Sequence, residues 1–264
     1  MKARPLLLIV SILFICACGK DKDAKSCLVQ SMIETRNGSP IISSFFTYDG
    51  SNRLLEVSRT DLPESPDNRV KTTTYTYDDK GRVIEIVHRY SVGGRTEDAL
   101  DIETFDYNEL NQVITKVVYV KHGTNARTEL QRLEFTYAKP FELKMEKLYF
   151  EGALQVTSEY TYTSGLMTRV KETFKDQRTH EVEIKYDGKK NPYSTSPALL
   201  AIQLGYGYPH QHNISSLSGK LSGGRSYTTS MNYTYSENGY PETAQEITSQ
   251  EGSGLSLKYN YNCF

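Results

Sequence analysis

The sequence predicts an all-β protein: an antiparallel up-and-down meander of about 14–16 strands, closed or nearly closed into a barrel, with one short helix near 197–204. Three observations carry that prediction. A four-residue signature returns eight times: FTYD at Asp49, YTYD at Asp78, FDYN at Asn108, FTYA at Ala138, YTYT at Thr163, IKYD at Asp187, YTYS at Ser236 and YNYN at Asn262. The residues around each copy alternate apolar and polar, as in a strand with one buried face. A sheet of that many strands must curl or close, because strands twist and free edges invite association.

Taken in order, the chain begins with a segment apart from the fold. Lys2 and Arg4 precede an apolar run, Leu6 to Ile15, too short to cross a bilayer as a helix. Ile15-Cys16-Ala17-Cys18-Gly19 then resembles a bacterial lipobox, which implies cleavage after residue 17 and acylation of Cys18. Residues 1–17 read as a lipoprotein signal peptide and 18–27 as an acylated cysteine with a polar tether through Lys20-Asp21-Lys22-Asp23. Residues 28–264 read as one repeat-built β domain. The expected partner of the tether is a membrane. The expected location is the outer membrane, at the cell surface or, alternatively, on the periplasmic leaflet. Loss of Cys16 with the signal and acylation of Cys18 leave Cys27 and Cys263, which an oxidising envelope can bridge.

Each repeat then reads as strand, turn, strand. The reference tyrosines are Tyr48, Tyr77, Tyr107, Tyr137, Tyr162, Tyr186, Tyr235 and Tyr261. Two residues earlier stand Phe46, Tyr75, Phe105, Phe135, Tyr160, Ile184, Tyr233 and Tyr259, nearly all aromatic in a chain with 11% aromatics, so the position is selected. Between them sit polar residues such as Thr47, Thr76 and Asp106. Asn52, Gly81, Asn111 and Gly239 follow the reference Tyr by four and tolerate the positive φ of a tight turn. Apolar strands resume at Leu54-Leu55, Val83-Ile84, Val113-Ile114 and Leu166-Met167. The tyrosine stripe is expected to line the inner face, with hydroxyls bonded to Thr or water. The competing reading is an aromatic platform for a glycan or peptide.

Tyr77-Asp78-Asp79-Lys80-Gly81-Arg82-Val83 resembles the tyrosine–aspartate (YD) repeat of Rhs-type proteins, and Tyr48-Asp49-Gly50-Ser51-Asn52-Arg53-Leu54 is close to it. With the lipobox, the degenerate hairpins and the late Lys190-Asn191-Pro192-Tyr193 and Asn213-Ile214 segments, the chain is similar to bacterial envelope lipoproteins of unknown function with a porin-like β fold. That resemblance implies the fold and the envelope location. It brings no catalytic residue.

One segment departs from the rhythm. Between Tyr186 and Tyr235, Ser196-Pro197 has the order of a helix start, followed by Ala198-Leu199-Leu200-Ala201-Ile202 and a break at Gly205-Tyr206-Gly207-Tyr208-Pro209. The 205–224 stretch is where a ligand is expected, through Tyr206, Tyr208, His210 and His212, because loops on a rigid scaffold carry binding. The His210/His212 pair has no nearby acid or thiol to complete a metal site, so no metal or other cofactor is expected. Glu97, Asp98, Asp101 and Glu103 cluster without a calcium-loop pattern and read as solvated, as do His122 and His180.

Function class follows by elimination. Lys+Arg 31 against Asp+Glu 32, with no basic run, gives nucleic acid no footprint. No nucleophile elbow, metalloprotease helix motif or phosphate loop is present. The sequence therefore favours a non-catalytic, lipid-anchored envelope protein that binds a glycan or protein, or serves as a scaffold. The alternatives are a glycan-binding or hydrolytic surface lipoprotein using 205–224, and an outer-membrane channel. Against the channel, counting back by two from Phe264 meets Asn262, Asn260, Lys258 and Ser256, whereas Tyr261, Tyr259, Leu257 and Leu255 have the opposite parity.

Overall fold

The computed structural model describes residues 26–62, 68–140, 142–193, 212–248 and 254–264. Sixteen strands run in chain order: β1 (Cys27–Arg36), β2 (Ser39–Tyr48), β3 (Leu54–Asp61), β4 (Arg69–Tyr77), β5 (Val83–Val92), β6 (Arg95–Tyr107), β7 (Val113–His122), β8 (Thr128–Lys139), β9 (Glu142–Phe150), β10 (Ala153–Thr163), β11 (Leu166–Phe174), β12 (Thr179–Lys190), β13 (His212–Leu221), β14 (Ser226–Tyr235), β15 (Pro241–Thr248) and β16 (Leu255–Cys263). Each pairs antiparallel with its chain neighbours, and β16 pairs back onto β1, so the meander closes into a barrel. The helix expected near 197–204 falls outside the described residues, and among the described residues there is none.

The Tyr-Asp turns gather on one rim, and their chemistry explains the motif. In the first, Asp49 Oδ1 accepts the Ser51 and Arg53 N–H groups while Oδ2 accepts Arg53 Nε at 2.7 Å. Asp78 does the same for Lys80 and Arg82. Asn108 repeats the backbone half with Leu110 and Gln112. The side-chain oxygen thus adds to the turn's own carbonyl acceptor, because the Asn52, Gly81 and Asn111 N–H groups still donate to the carbonyls of Asp49, Asp78 and Asn108. Gly81 takes a φ of 76°, where an L side chain is strained; Asn52 and Asn111 hold the same place.

Each of six hairpins carries a bulge at this rim. Tyr48 faces Leu54 whereas Thr47 faces Glu56, leaving Leu55 as the extra residue. Ile84, Ile114, Lys144, Thr168 and Glu242 are the extra residues of the other five. A bulge adds local twist, which helps a wide sheet close.

Between hairpins the pairing stops short of the rim, and tyrosine takes over. The β3–β4 register ends at Glu56↔Thr74; beyond it the Tyr77 hydroxyl donates to the Leu54 carbonyl at 2.6 Å. Tyr107 caps Val83 at 2.7 Å, Tyr137 caps Val113 at 2.9 Å, and Tyr48, Tyr186, Tyr233 and Tyr261 cap Val29, Met167, Ile214 and Pro241. Tyr162 instead accepts the Leu143 N–H. The hydroxyls therefore go to strand backbone, not to Thr or water as expected. Tyr235 departs from the pattern and donates to the Asp187 carboxylate.

The apolar core lies inside, against this rim. Leu54, Tyr75, Val83, Ile86, Phe105, Val113, Leu133, Phe135 and Leu143 pack on one side, Met167, Val170, Val182 and Ile184 on another, and Val29, Ala244 and Tyr259 on a third. Alternation puts the opposite parity outside. There, cross-strand rows run Asp106–Thr115–Glu134–Lys147–Thr157–Thr173 and Thr161–Arg169–Glu183–Ser218–Thr228. Such rows suit water and would be costly against lipid.

Candidate functional site

Beyond the aromatic layer the inward face turns polar, and this lumenal belt is the candidate site. Its centre is Lys116 on β7, whose side chain is 1% exposed. The β7 bulge at Ile114 turns Lys116 to the same side as Val113, both buried. Its ammonium lies 2.8 Å from Glu103 Oε2 on β6, an ion pair outside hydrogen-bond geometry, and 5.8 Å from the Phe105 ring centroid. The other Glu103 oxygen faces His88 Nε2 at 3.2 Å, and His88 Nδ1 meets the Thr73 hydroxyl at 2.9 Å. The carboxylate accepts a hydrogen bond from Nε2–H, and Nδ1 and the Thr73 hydroxyl share the second bond. Burial pushes the Glu103 carboxyl up; the His88 hydrogen bond and the Lys116 charge outweigh that and hold it at about 2.

Around the wall, Glu146, Ser158, Glu172 and His180 form a row of direct cross-strand partners on β9 to β12. Glu146 is buried and accepts the Tyr160 hydroxyl at 3.1 Å. Burial, reinforced by the Glu172 charge, raises its carboxyl above the usual range despite that bond and the Lys116 charge. Glu172 accepts His180 Nδ1–H at 2.7 Å, and His180 Nε2 meets the Tyr227 hydroxyl at 3.0 Å. Gly219 makes the last contact feasible: a Cβ there would stand 2.2 Å from the Tyr227 ring, which lies across the bare backbone.

The rim with the Tyr-Asp turns is filled. After β12, Asn191 Oδ1 accepts the Tyr193 N–H in a local turn, and Tyr193 reaches the opposite wall. There its hydroxyl meets Met32 Sδ at 3.3 Å, and its ring lies 6.4 Å from that of Phe46. Lys190 stacks over Tyr240, 4.7 Å from its centroid. Toward the other rim the inward residues become wetter. Arg59, opposite Lys71, is 3.7 Å from Glu34; Arg69 lies over Tyr90, whose hydroxyl donates to Asp101. Burial lowers the Lys71 ammonium.

Thr73, His88 and Glu103 have the order hydroxyl, imidazole, carboxylate. All three sit in mid-strand, where backbone N–H groups serve the ladders. The arrangement is a buried relay closed by the Lys116 ion pair and suited to holding shape and charge.

Of the residues singled out from sequence, Cys27 and Cys263 are joined by a disulfide across β1 and β16. Cys18, Tyr206, Tyr208 and His210 lie outside the described residues. His212 opens β13, where Nδ1 donates to the Lys189 carbonyl at 3.2 Å. The acidic quartet is split: Glu103 faces Lys116, Asp101 faces Tyr90, Glu97 stands 3.9 Å from Arg69, and the Asp98 carbonyl accepts the Gly123 N–H. Glu103 and Asp101 are thus lumenal, not solvated loop residues. His180, read as surface, is likewise in the lumen, because β12 alternates in phase with Val182 and Ile184. His122 is exposed, as expected. His88 was missed, although it shares the parity of Ile86. Among the described residues no three His, Cys, Asp or Glu converge as metal ligands.

No family model matches the chain, and no curated protein sequence matches it. Solved structures do. A porin-like protein from Bacteroides uniformis aligns over 88% of this chain and 96% of its own at 14% identity, with a TM-score of 0.55. A porin-like protein from Bacteroides vulgatus aligns over 90% and 99% at 11% identity, with a TM-score of 0.43. The toxin complex TcdB2–TccC3 without its hypervariable C-terminal region aligns over 86% of this chain and 15% of its own, at 10% identity and a TM-score of 0.27. The likeness to the first is one of fold: a porin-like β-barrel.

Proposed function

We propose that this protein is a lipid-anchored β-barrel of the bacterial envelope, held on the outer membrane through acylated Cys18, that binds or scaffolds rather than catalyses. One observation carries the reading: the outer rows from Asp106 to Thr173 and from Thr161 to Thr228 are Thr, Ser and charged residues, so this part of the wall suits water, and membrane attachment is assigned to the N-terminal segment. The packing of Tyr193 across the rim and the mutually paired lumenal belt support binding or scaffolding over conduction. The wetter end of the lumen, with Arg59, Arg69, Tyr90, His180 and Tyr227, is where a polar ligand such as a glycan would enter, and the 205–224 stretch remains a second candidate.

Fractionation tests the anchor. The wild-type chain is expected in the membrane fraction with fatty-acid label, and Cys18→Ala is expected unlabelled, as precursor or soluble protein. A chain starting at Asp23 is expected to stay soluble without detergent. Recovery of that chain only in micelles, or ion conductance in planar bilayers, would restore the channel reading. A glycan array separates ligand binding from inert scaffolding.

A further inference from the structure

The six bulged hairpins supply an internal comparison. The extra residue occupies the same place in each, exposed or half-exposed, and any side chain serves the bulge, as Lys144, Thr168 and Glu242 show. Yet on β3, β5 and β7 it is aliphatic, and Leu55, Ile84 and Ile114 remain between 37% and 41% exposed. Leu110, at the tip of the β6–β7 turn, is 67% exposed, and Phe264, just past β16, is 58% exposed. These five residues occupy one continuous arc of the rim, from β16 through β1 to β7. The three polar equivalents lie on the other half.

The chain enters the fold within that arc, because Cys27 opens β1 and is bridged to Cys263. Nine residues separate Cys18 from Cys27, a reach of at most about 30 Å. An anchor at Cys18 therefore tethers the barrel at this rim and favours it for contact with the bilayer, because the far rim reaches the membrane only with the tether close to fully extended. The geometry points to a lipid surface as the occupant of the arc: Leu55, Ile84, Leu110, Ile114 and Phe264 seat at the boundary between headgroups and acyl chains, while Lys144, Thr168 and Glu242 stay in water. The barrel stands tilted on the membrane, with its wetter lumenal end turned away. This rests on acylation of Cys18; the arc adds orientation to an anchor that by itself permits free tumbling.

The absence of Trp from the chain makes the test direct. Single Leu110→Trp, Glu242→Trp and Ile247→Trp variants of the full-length acylated protein are reconstituted with vesicles, with and without lipids brominated below the headgroup. Leu110→Trp is expected to lose emission about twofold or more relative to Glu242→Trp on the polar half and Ile247→Trp on β15. Equal quenching at all three sites in protein that floats with the vesicles would overturn the docking and leave the anchor standing. Protein that does not float would overturn the anchor and the docking together. A blue-shifted Leu110→Trp indifferent to bromine, with dimers captured by cross-linking, would assign the arc to a second copy and overturn the lipid surface.

Discussion

At the scale of single residues, the lumen sets two carboxylates in opposite environments. Glu103 is held at about 2, well below its ordinary 4.5, so its ionised form stabilises the fold. That contribution is fully present above pH 4.5 and is lost as pH falls from 4.5 toward 2; it amounts to about 3 kcal/mol. Glu146 is raised, so its neutral form is the favoured one; its contribution is full below pH 4.5 and fades as pH rises through the raised value. Neutral amides therefore separate the two. Glu103→Gln leaves the Lys116 ammonium without this carboxylate and is expected to cost about 3 kcal/mol in urea unfolding at pH 7. Glu103→Gln with Lys116→Met is expected to recover most of that loss. Glu146→Gln, which keeps an acceptor for Tyr160, is expected to stabilise at pH 7 and to do nothing at pH 3. Destabilisation by both amides at pH 7 would refute the assignment.

At the scale of elements, the hairpin is a unit with two different fastenings. Within it, Asp49 or Asp78 closes the turn through its carboxylate; between units, a tyrosine hydroxyl caps the carbonyl at which the next ladder stops. Burial pushes these phenols up, Tyr77, Tyr107 and Tyr186 to about 12, so they remain protonated donors across the physiological range. Tyr107→Phe keeps the ring in the core and removes only the donor. It is expected to cost about 1 kcal/mol by chemical denaturation, the price of one unmet carbonyl. The same change at Tyr149, whose hydroxyl meets Glu134 on the exposed side, is expected to cost nothing measurable. Equal losses at the two positions would mean that the ring, not the cap, matters.

At the scale of the whole molecule, closure is the distinctive event, because β1 and β16 come from opposite ends of the chain. Their pairing runs from Cys27↔Cys263 to Arg36↔Leu255, and the disulfide spans 236 residues. In the chain-entropy model a loop that long stabilises by about 5 kcal/mol, an upper figure. Paired Cys27→Ala and Cys263→Ala substitutions are expected to lower the unfolding midpoint and to speed exchange of β1 and β16 amides before those of β5 to β8. Hydrogen exchange that stays uniform around the barrel after the substitutions would show that the seam holds without its bridge. Two free thiols in non-reduced, denatured wild-type protein would remove the bridge itself.

The sequence by itself determined what is local and repeated. Alternation around each reference tyrosine specified the strands, Asp with Asn or Gly specified the turns, and eight repeats bounded the strand number and hence the need to curl or close. Even the bulges leave a trace: the buried residues Leu143 and Glu146, Val83 and Ile86, or Met167 and Val170 stand three apart where a regular strand would give two. Read with a strict period of two, that spacing sends Lys116 and Glu146 to the wrong face, and so the belt stayed hidden. Only the tertiary structure decided the rest: that β16 closes on β1, that Tyr193 crosses the lumen to Met32, and that Lys116, Glu103 and His88 meet. These depend on register and curvature summed over many strands. Neighbours across a barrel are separated in sequence by distances that no short-range pattern encodes.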